Sequence, residues 1–229
     1  MDSIAQLLTQ YDVLSAFWMT IKLAFLSAIG SLVLGTVVAV CRVSPVSVLR
    51  GFGTAYVTLV RNTPLTLIVF FCLFGIGDTL RVELADPSSP TSLVDNTFRF
   101  GVIALAVYHA SFVAEALRSG INTVPQGQAE AARAIGLGFL PTLREVVLPQ
   151  AFRGAIAPLG NTLIALTKNT TVVATIGVAE LAYQMQNMIE FSPSLLYPIF
   201  ILIALCFILL TLPTGLMFTY LSHRLVVQR

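Results

Sequence analysis

The chain has 229 residues, of which 56% are hydrophobic and only 10% charged, and its formal net charge is +2. A mean hydropathy of +0.87 excludes an ordinary water-soluble domain. Membrane lipid is therefore the expected surrounding, and we expect no nucleic-acid partner.

Apolar runs long enough to cross a bilayer, which takes about 20 residues, recur along the chain. They lie at about 14–40, 53–77, 98–117, 155–178 and 195–221. The first run is expected to remain as a span, because no basic region precedes it and no small-residue cleavage site follows it. The sequence predicts an all-α integral membrane protein with five transmembrane helices, in which residues 1–229 form a single transmembrane domain.

The second run contains a proline at membrane depth. A span that began at Pro64 would have only about 14 residues before Asp78, about 21 Å, which is too short to cross. "RNTPL" therefore lies inside the span, where Pro64 lacks an N–H and clashes with the carbonyl of Val60, so we expect a kink. The kink could serve packing alone, or it could line a transport pathway with Arg61 and Thr63.

The third run carries His109, Ser111 and Glu115. A protease-like pair of His109 with Ser111 is unfavourable, because side chains two residues apart on a helix diverge by about 200° and no GxSxG turn is present. We interpret His109 as a helix-packing residue near a pathway.

A polar stretch, "QAEAARAIGLGFLPTLREVVLP", occupies 128–149 between the third and fourth runs. Pro125 suits a first helical turn and residues of high helix propensity follow it up to Gly136, so a helix of about three turns is predicted. "LPTLREVVLP" predicts a second short helix that ends at Pro149. Docking to another protein and attachment to the membrane surface are both compatible with these residues.

The fourth run places a lysine near the middle of the bilayer. If its helix starts near Ala155, Lys168 lies about 20 Å along it, where an ammonium is costly unless it faces a cavity or a partner. Polar residues surround this position: Asn161, Thr167, Asn169, Thr170 and Thr171. Lys168 could pair with a carboxylate such as Glu115, or it could contact a solute directly.

Basic residues are concentrated in alternate connections and at the C-terminus. They are Arg42, Arg50 and Arg61, then Arg118, Arg133, Arg144 and Arg153, then Arg224 and Arg229. The other two connections hold Asp78, Glu83, Asp86, Asp95, Glu180 and Glu190 against Arg81 and Arg99. The positive-inside rule then predicts that the N-terminus is outside and that the C-terminus and the 128–149 stretch are cytoplasmic.

The spacing within the polar stretch is specific. Glu130-Ala131-Ala132 is followed after three residues by Gly136, after nine more by Val146, and then by Leu148-Pro149. This pattern resembles the EAA signature of importer-type ABC transporter permeases, in which isoleucine is usual where Val146 stands. "VAEALRSGINTVPQGQAEAARAIG", "RNTPLTLIVFF" and "NTLIALTKNT" resemble the polar amino acid uptake branch, and over nearly its whole length the chain is similar to permease subunits of actinobacterial glutamate-uptake systems.

The resemblance implies a type I ABC importer permease fold in the bacterial cytoplasmic membrane. It implies three partners: an ABC ATPase dimer, a second permease subunit that is a distinct sister or another copy, and an extracytoplasmic amino-acid-binding protein. The coupling helix that docks on the ATPase lies in a loop at about 124–150 and comprises Gln128, Glu130, Ala131, Ala132 and Gly136. This chain has no GxxxxGK(S/T) motif, so ATP is expected to be bound by the partner.

Candidate pathway residues come from the three inner runs. They are Arg61, Thr63, Pro64, His109, Glu115, Asn161, Lys168, Asn169 and Thr170. Arg61 and Lys168 favour a solute with a carboxylate. The resemblance indicates glutamate, and glutamine, aspartate or a basic amino acid are the alternatives.

Two other functional classes are weaker. An ion-coupled secondary transporter could also use charged residues inside its spans, but it does not explain the EAA spacing. A membrane enzyme such as an intramembrane serine protease is the second class, and the His109–Ser111 geometry and the missing GxSxG turn speak against it. A metal site is not indicated, since Cys41, Cys72 and Cys206 lie far apart without a CxxC pair or a nearby histidine cluster. We expect neither enzymatic activity nor a metal in this chain.

Overall fold

The computed structural model describes residue 7 and residues 9–225, so Arg229, which entered the charge argument, lies outside the described residues. Its main helices are α1 (Val13–Val43), α2 (Ser47–Arg61), α3 (Leu65–Phe70), α4 (Ser92–Ile121), α5 (Gln126–Ala134), α6 (Leu148–Asn169), α7 (Leu181–Phe191) and α8 (Leu196–Leu225). Shorter segments join them: π-helical Phe71–Thr79 after α3, a single turn Phe139–Pro141 and π-helical Thr142–Val147 before α6, and 3-10 segments Thr170–Ile176 and Pro193–Leu195. The predicted all-α class is confirmed for the described part of the chain.

Three helical segments are long and apolar enough to cross a bilayer: α1, α4 and Pro193–Leu225. Two bent pairs raise the number of candidate spans in the described residues to five if each counts as one. In the first pair α2 meets Leu65–Thr79 at 107°, and in the second Phe139–Ile176 meets α7 at 55°. The count agrees with the predicted five-helix architecture.

Helix α4 lies at the centre of the bundle. Helices α1, α2 and α6 pack on it, and α8 packs on α6. In their most apolar windows α4 is 67% buried and the segment containing α8 only 17%, so α8 presents its apolar surface outward, as expected for contact with lipid.

The crossing of α4 and α6 depends on a glycine. A Cβ on Gly120 would overlap the carbonyl oxygen of Ala151 and would come within 3.0 Å of Ala155. Only a residue without a side chain permits such close approach of two helix backbones. The end of α4 is therefore held tightly against α6.

Pro64 interrupts the predicted second span. Helix α2 ends at Arg61 and α3 begins at Leu65, so the expected kink is confirmed as a full break between two helices. The side chains of Asn62 and Thr63 occupy this break, and we refer to 62–64 as the bend.

Three backbone carbonyls before the break find donors within the same segment. The pairs are Thr63 N–H to the Val60 carbonyl (3.2 Å), Asn62 Nδ2 to the Thr58 carbonyl (2.7 Å) and Thr63 Oγ1 to the Leu59 carbonyl (2.8 Å). Because an unpaired carbonyl in lipid costs several kcal/mol, these polar side chains explain how the bend is tolerated in a membrane protein.

The polar stretch folds only partly as expected. Helix α5 follows Pro125 and ends before Gly136, whose φ of 91° is left-handed, so the predicted first helix is confirmed. The prediction that Pro149 ends a second helix is wrong, because Thr142–Val147 continues directly into α6 and Pro149 is the second residue of α6. Phe139–Ile176 is thus one helical segment with Pro149 in its interior, and the hydrogen bond that a proline cannot donate is lost where the π-helical turns pass into α6.

Candidate functional site

Four charged side chains meet where α1, α2 and α4 converge. Glu115 lies 2.5 Å from Arg42 Nη1, 2.9 Å from Arg118 Nη2 and 3.7 Å from Arg61 Nη1. We call these four residues the arginine cluster; its three guanidinium groups and one carboxylate leave two positive charges in excess. Sequence reasoning identified Arg61 and Glu115 as candidates but assigned neither Arg42 nor Arg118 to the site.

A line of ring contacts runs from the arginine cluster along α4. The guanidinium carbon of Arg61 lies 5.2 Å from the centroid of the Phe112 ring, and the ring centroids of Phe112 and His109 are 6.1 Å apart. The imidazole of His109 in turn meets Asn169, with 3.2 Å between Nε2 and Nδ2. Phe112, which the sequence analysis did not select, thus connects two pairs of candidate residues.

The hydrogen bonds of His109 define its tautomer. The side chain is buried, and Nδ1 lies 3.0 Å from the carbonyl oxygen of Leu105, which can only accept. Nδ1 therefore carries the proton, and Nε2 accepts a hydrogen bond from the Asn169 amide. This neutral ring ties α4 to the last turn of α6.

Lys168 lies in the same last turn and is exposed. Asn161, two turns earlier, is also exposed on that side of α6. No ion pair found among the described residues includes Lys168, and Glu115 is engaged by arginines. The Lys168–Glu115 pair, one of the two interpretations offered above, is therefore not formed.

The candidate pathway residues fall into three groups by exposure. Arg61, Pro64, Asn161 and Lys168 are exposed, Thr63, Glu115 and Asn169 are half-buried, and His109 and Thr170 are buried. The hydroxyl of Thr170 donates to the carbonyl of Thr167 at 2.8 Å, immediately before the helix narrows to 3-10 geometry. The exposed group can meet a solute, whereas the buried residues join or shape helices.

Helix α5 presents a small, mostly polar surface. Gln128, Glu130, Ala131 and Gly136 are exposed, and Ala132 is buried against the rest of the chain. Behind α5 lies a cavity of about 470 Å³ with Val43, Ile121 and Leu143 in its wall. The exposed side of α5 is therefore accessible to another protein.

Glu180, one of the acids in the connection between the fourth and fifth runs, is fully buried. Its Oε1 accepts hydrogen bonds from the backbone N–H groups of Ala182 (2.8 Å) and Tyr183 (2.9 Å) and so caps α7. A carboxylate at this position also complements the helix dipole. The clustering of basic residues, on which the orientation rests, is unaffected.

Comparison with known proteins gives consistent matches along the chain. Residues 31–227 match the family of binding-protein-dependent transport system inner membrane components. The glutamate transport system permease protein GluC of Corynebacterium glutamicum is 54% identical over 95% of this chain and 96% of its own length, and the GluC of Corynebacterium efficiens is 52% identical with the same coverage. The probable glutamine ABC transporter permease protein GlnM of Bacillus subtilis is 35% identical over 93% of this chain and 92% of its own length.

Solved structures share the fold. A chain from the crystal structure of an amino acid ABC transporter with histidines matches with a TM-score of 0.75 and 28% identity, over 93% of both chains. A chain of the inward-facing MetNI methionine ABC transporter matches with a TM-score of 0.71 over 94% of this chain and 96% of its own, and at 18% identity this match supports the fold alone. The chain therefore belongs to the family of binding-protein-dependent transport system inner membrane components, the permease subunits of ABC importers.

Proposed function

We propose that this chain forms half of the translocation pathway of an ATP-driven importer of glutamate. The observation that carries the proposal is the 54% identity, over 95% of the chain, to a glutamate transport permease. The relatives named for glutamine and arginine transport are less similar, at 35% over 93% and 40% over 69% of this chain. Glutamine, aspartate and basic amino acids are the alternative substrates.

The energy comes from a partner, since the chain has no P-loop motif. An ABC ATPase dimer docks on α5, where Gln128, Glu130 and Ala131 are exposed and the small side chains let a groove approach the backbone. A second permease subunit and an extracytoplasmic amino-acid-binding protein complete the importer. ATP-driven closure of the ATPases moves α5 and switches the pathway between inward-facing and outward-facing states.

The chain has its N-terminus outside and its C-terminus in the cytoplasm. The basic residues near the ends of α1, α4 and α8 support this orientation. It assigns α5 and the arginine cluster to the cytoplasmic half of the molecule.

Exposed cations contact the solute. Lys168 has no carboxylate partner among the described ion pairs, and an ammonium at membrane depth requires a compensating group. Arg61 is 43% exposed and makes the longest of the contacts to Glu115. Two cations favour glutamate over glutamine, because glutamate has a second carboxylate.

Uptake by the reconstituted complex tests the proposal. The permease would be assembled with its ATPase, second permease and binding protein in proteoliposomes, and entry of radiolabelled glutamate measured with and without ATP. We expect uptake only with ATP, and competition by unlabelled glutamate well above that by glutamine or arginine. Uptake that follows an ion gradient without the ATPase would contradict the importer mechanism, and failure of excess glutamate to compete would contradict the substrate.

A further inference from the structure

We propose that Glu115 is a positioning residue that ties the bend to the helix leading into α5, so that movement of α5 is transmitted to Arg61. This inference rests on the proposed function, since it assigns a route between the ATPase-docking helix and the pathway. It gives Glu115 a role distinct from direct contact with the solute.

The position of Glu115 along α4 is the first observation. Helix α4 ends at Ile121 and α5 begins at Gln126, so only a short turn separates them. Glu115 lies six residues before the end of α4, about 9 Å along the axis. A displacement of α5 therefore reaches Glu115 through less than two turns of continuous helix.

The second observation is that the two carboxylate oxygens of Glu115 have different partners. Oε1 faces Arg42 of α1 and Arg61 of α2, whereas Oε2 faces Arg118 of its own helix. Only the contacts of Oε1 join different helices. Of these, the contact with Arg61 reaches the residue that immediately precedes the bend.

A second contact holds the guanidinium of Arg61 against α4, the helix that carries Glu115. Its guanidinium carbon lies 5.2 Å from the centroid of the Phe112 ring, and Phe112 is three residues from Glu115, on the same side of α4. A guanidinium held by both a carboxylate and an aromatic ring has less freedom than one in a single exposed ion pair. Arg61 is therefore expected to follow α4 when α4 moves.

The bend is the part of the chain that can respond. Its hydrogen bonds come from Asn62 and Thr63 instead of a continuous helical ladder, and α2 and Leu65–Thr79 meet at 107°. The direction of α3 relative to α2 thus depends on the contacts of Arg61 and its neighbours. A shift of Arg61 would alter which side of the bend faces the pathway.

The test compares three single variants in the reconstituted complex. Arg61→Gln and Glu115→Gln break the contact between the bend and α4. Arg50→Gln is the matched control, because Arg50 is an exposed arginine of the same helix α2 and takes part in no ion pair found among the described residues. Radiolabelled glutamate uptake and ATP hydrolysis would be measured together at saturating glutamate, and the KM of uptake would be determined over a range of glutamate concentrations.

We expect Arg61→Gln and Glu115→Gln to lower the glutamate transported per ATP by about tenfold, and Arg50→Gln to change it by less than about twofold. The double variant Arg61→Gln/Glu115→Gln is expected to be no worse than Glu115→Gln alone, because Glu115→Gln already breaks the contact that Arg61→Gln removes. Arg61→Lys, which keeps the charge, is expected to recover part of the coupling.

Three results would overturn the inference: an equal loss in Arg50→Gln, a transport-to-ATP ratio that all variants keep, or a higher KM in Arg61→Gln with the ratio unchanged. The third result would mean that Arg61 binds the solute but takes no part in coupling. If the Glu115→Gln variant is not found in the membrane, the transport-to-ATP ratios of Arg61→Gln and Arg61→Lys still test the inference. Absence of ATP-dependent uptake in the unmodified complex would instead refute the proposed function.

Discussion

Lysine side chains on apolar helices need a structural or functional explanation, because an isolated ammonium is costly inside a bilayer. Lys168 is exposed near the end of α6, and Lys22 is exposed on α1 with its Nζ 6.0 Å from the centroid of the Phe98 ring. A lysine at membrane depth must reach the interface, a partner or water. The two lysines differ in their neighbours, since Lys168 adjoins the Asn169–His109 contact.

Lys168→Gln is expected to raise the KM of glutamate uptake by about tenfold or more, because a charge-assisted hydrogen bond to a carboxylate contributes about 1.5–3 kcal/mol. The initial rate of uptake as a function of glutamate concentration measures this. Lys22→Gln removes the same charge from another helix and is expected to leave the KM unchanged. An unchanged KM in both variants would place Lys168 outside the pathway.

The residues differ in how far sequence alone reveals them. Lys168 can be recognised in any fold, because an ammonium within an apolar run is costly wherever the run lies. The contact of Arg42 with Glu115 joins positions 73 apart in sequence and depends on where α1 crosses α4, which helical periodicity does not encode. Glu180 was counted only as an acid of a connection because a buried cap and an exposed loop acid look alike in composition, although an acidic residue directly before a helix is a recognisable capping signal.

Helices α4 and α6 cross with their backbones close together at Gly120. The carbonyl of Ala151 occupies the space that a side chain on Gly120 would need. The same helices carry the His109–Asn169 contact further along, so they are joined at two levels. This pairing supports the exposed face of α6 that bears Asn161 and Lys168.

Gly120→Ala is expected to destabilise the folded permease by about 1–3 kcal/mol, because the added methyl group forces the two backbones apart. Thermal unfolding in detergent, followed by loss of the monodisperse peak in size-exclusion chromatography, measures the effect. Gly51→Ala is the matched control, since nothing lies within 4 Å of a Cβ at that position. A Tm that is the same in the two variants would contradict the tight crossing.

Helix α5 supports a prediction about coupling. Glu130→Arg is expected to reduce ATP-dependent uptake by about tenfold or more while the chain remains in the membrane, because a reversed charge on a docking face opposes association. Glu145→Arg makes the same reversal at an exposed acid outside α5 and is expected to retain uptake within about twofold. Uptake and membrane abundance, measured in the same cells, distinguish impaired docking from loss of the protein. Equal uptake in both variants would contradict docking through α5.

The helices also show where prediction from sequence stops. The α5 segment was predictable from Pro125, the alanines and Gly136, since all of these act locally. The continuation of Thr142–Val147 into α6 was not, because π-helical turns carry the chain past Pro149 without ending the helix. Such turns have no simple sequence pattern, whereas a proline ordinarily ends or kinks a helix.

At the scale of the whole molecule, the chain is polarised. The arginine cluster and α5 lie near the same end of α4, while Asp78, Glu83 and Asp86 lie in or beside the connection that precedes its other end. Membrane orientation follows mainly from the basic residues. The orientation can therefore be tested by placing one label at each end.

Single cysteines, introduced after replacement of Cys41, Cys72 and Cys206, are expected to react from opposite sides of the membrane. Ser88→Cys should be labelled by a membrane-impermeant maleimide in intact cells, and Gln128→Cys only after permeabilisation. Both native residues are exposed, so access depends on the side of the membrane. The reverse pattern would overturn the N-outside orientation and the cytoplasmic location of α5.

The bend has a consequence for how the protein is made. Because Asn62 and Thr63 donate to the carbonyls of Thr58, Leu59 and Val60, these three groups draw their hydrogen bonds from their own segment. They need neither trapped water nor a neighbouring subunit in hydrocarbon. We therefore expect a nascent chain to complete the end of α2 during insertion, before assembly with another permease.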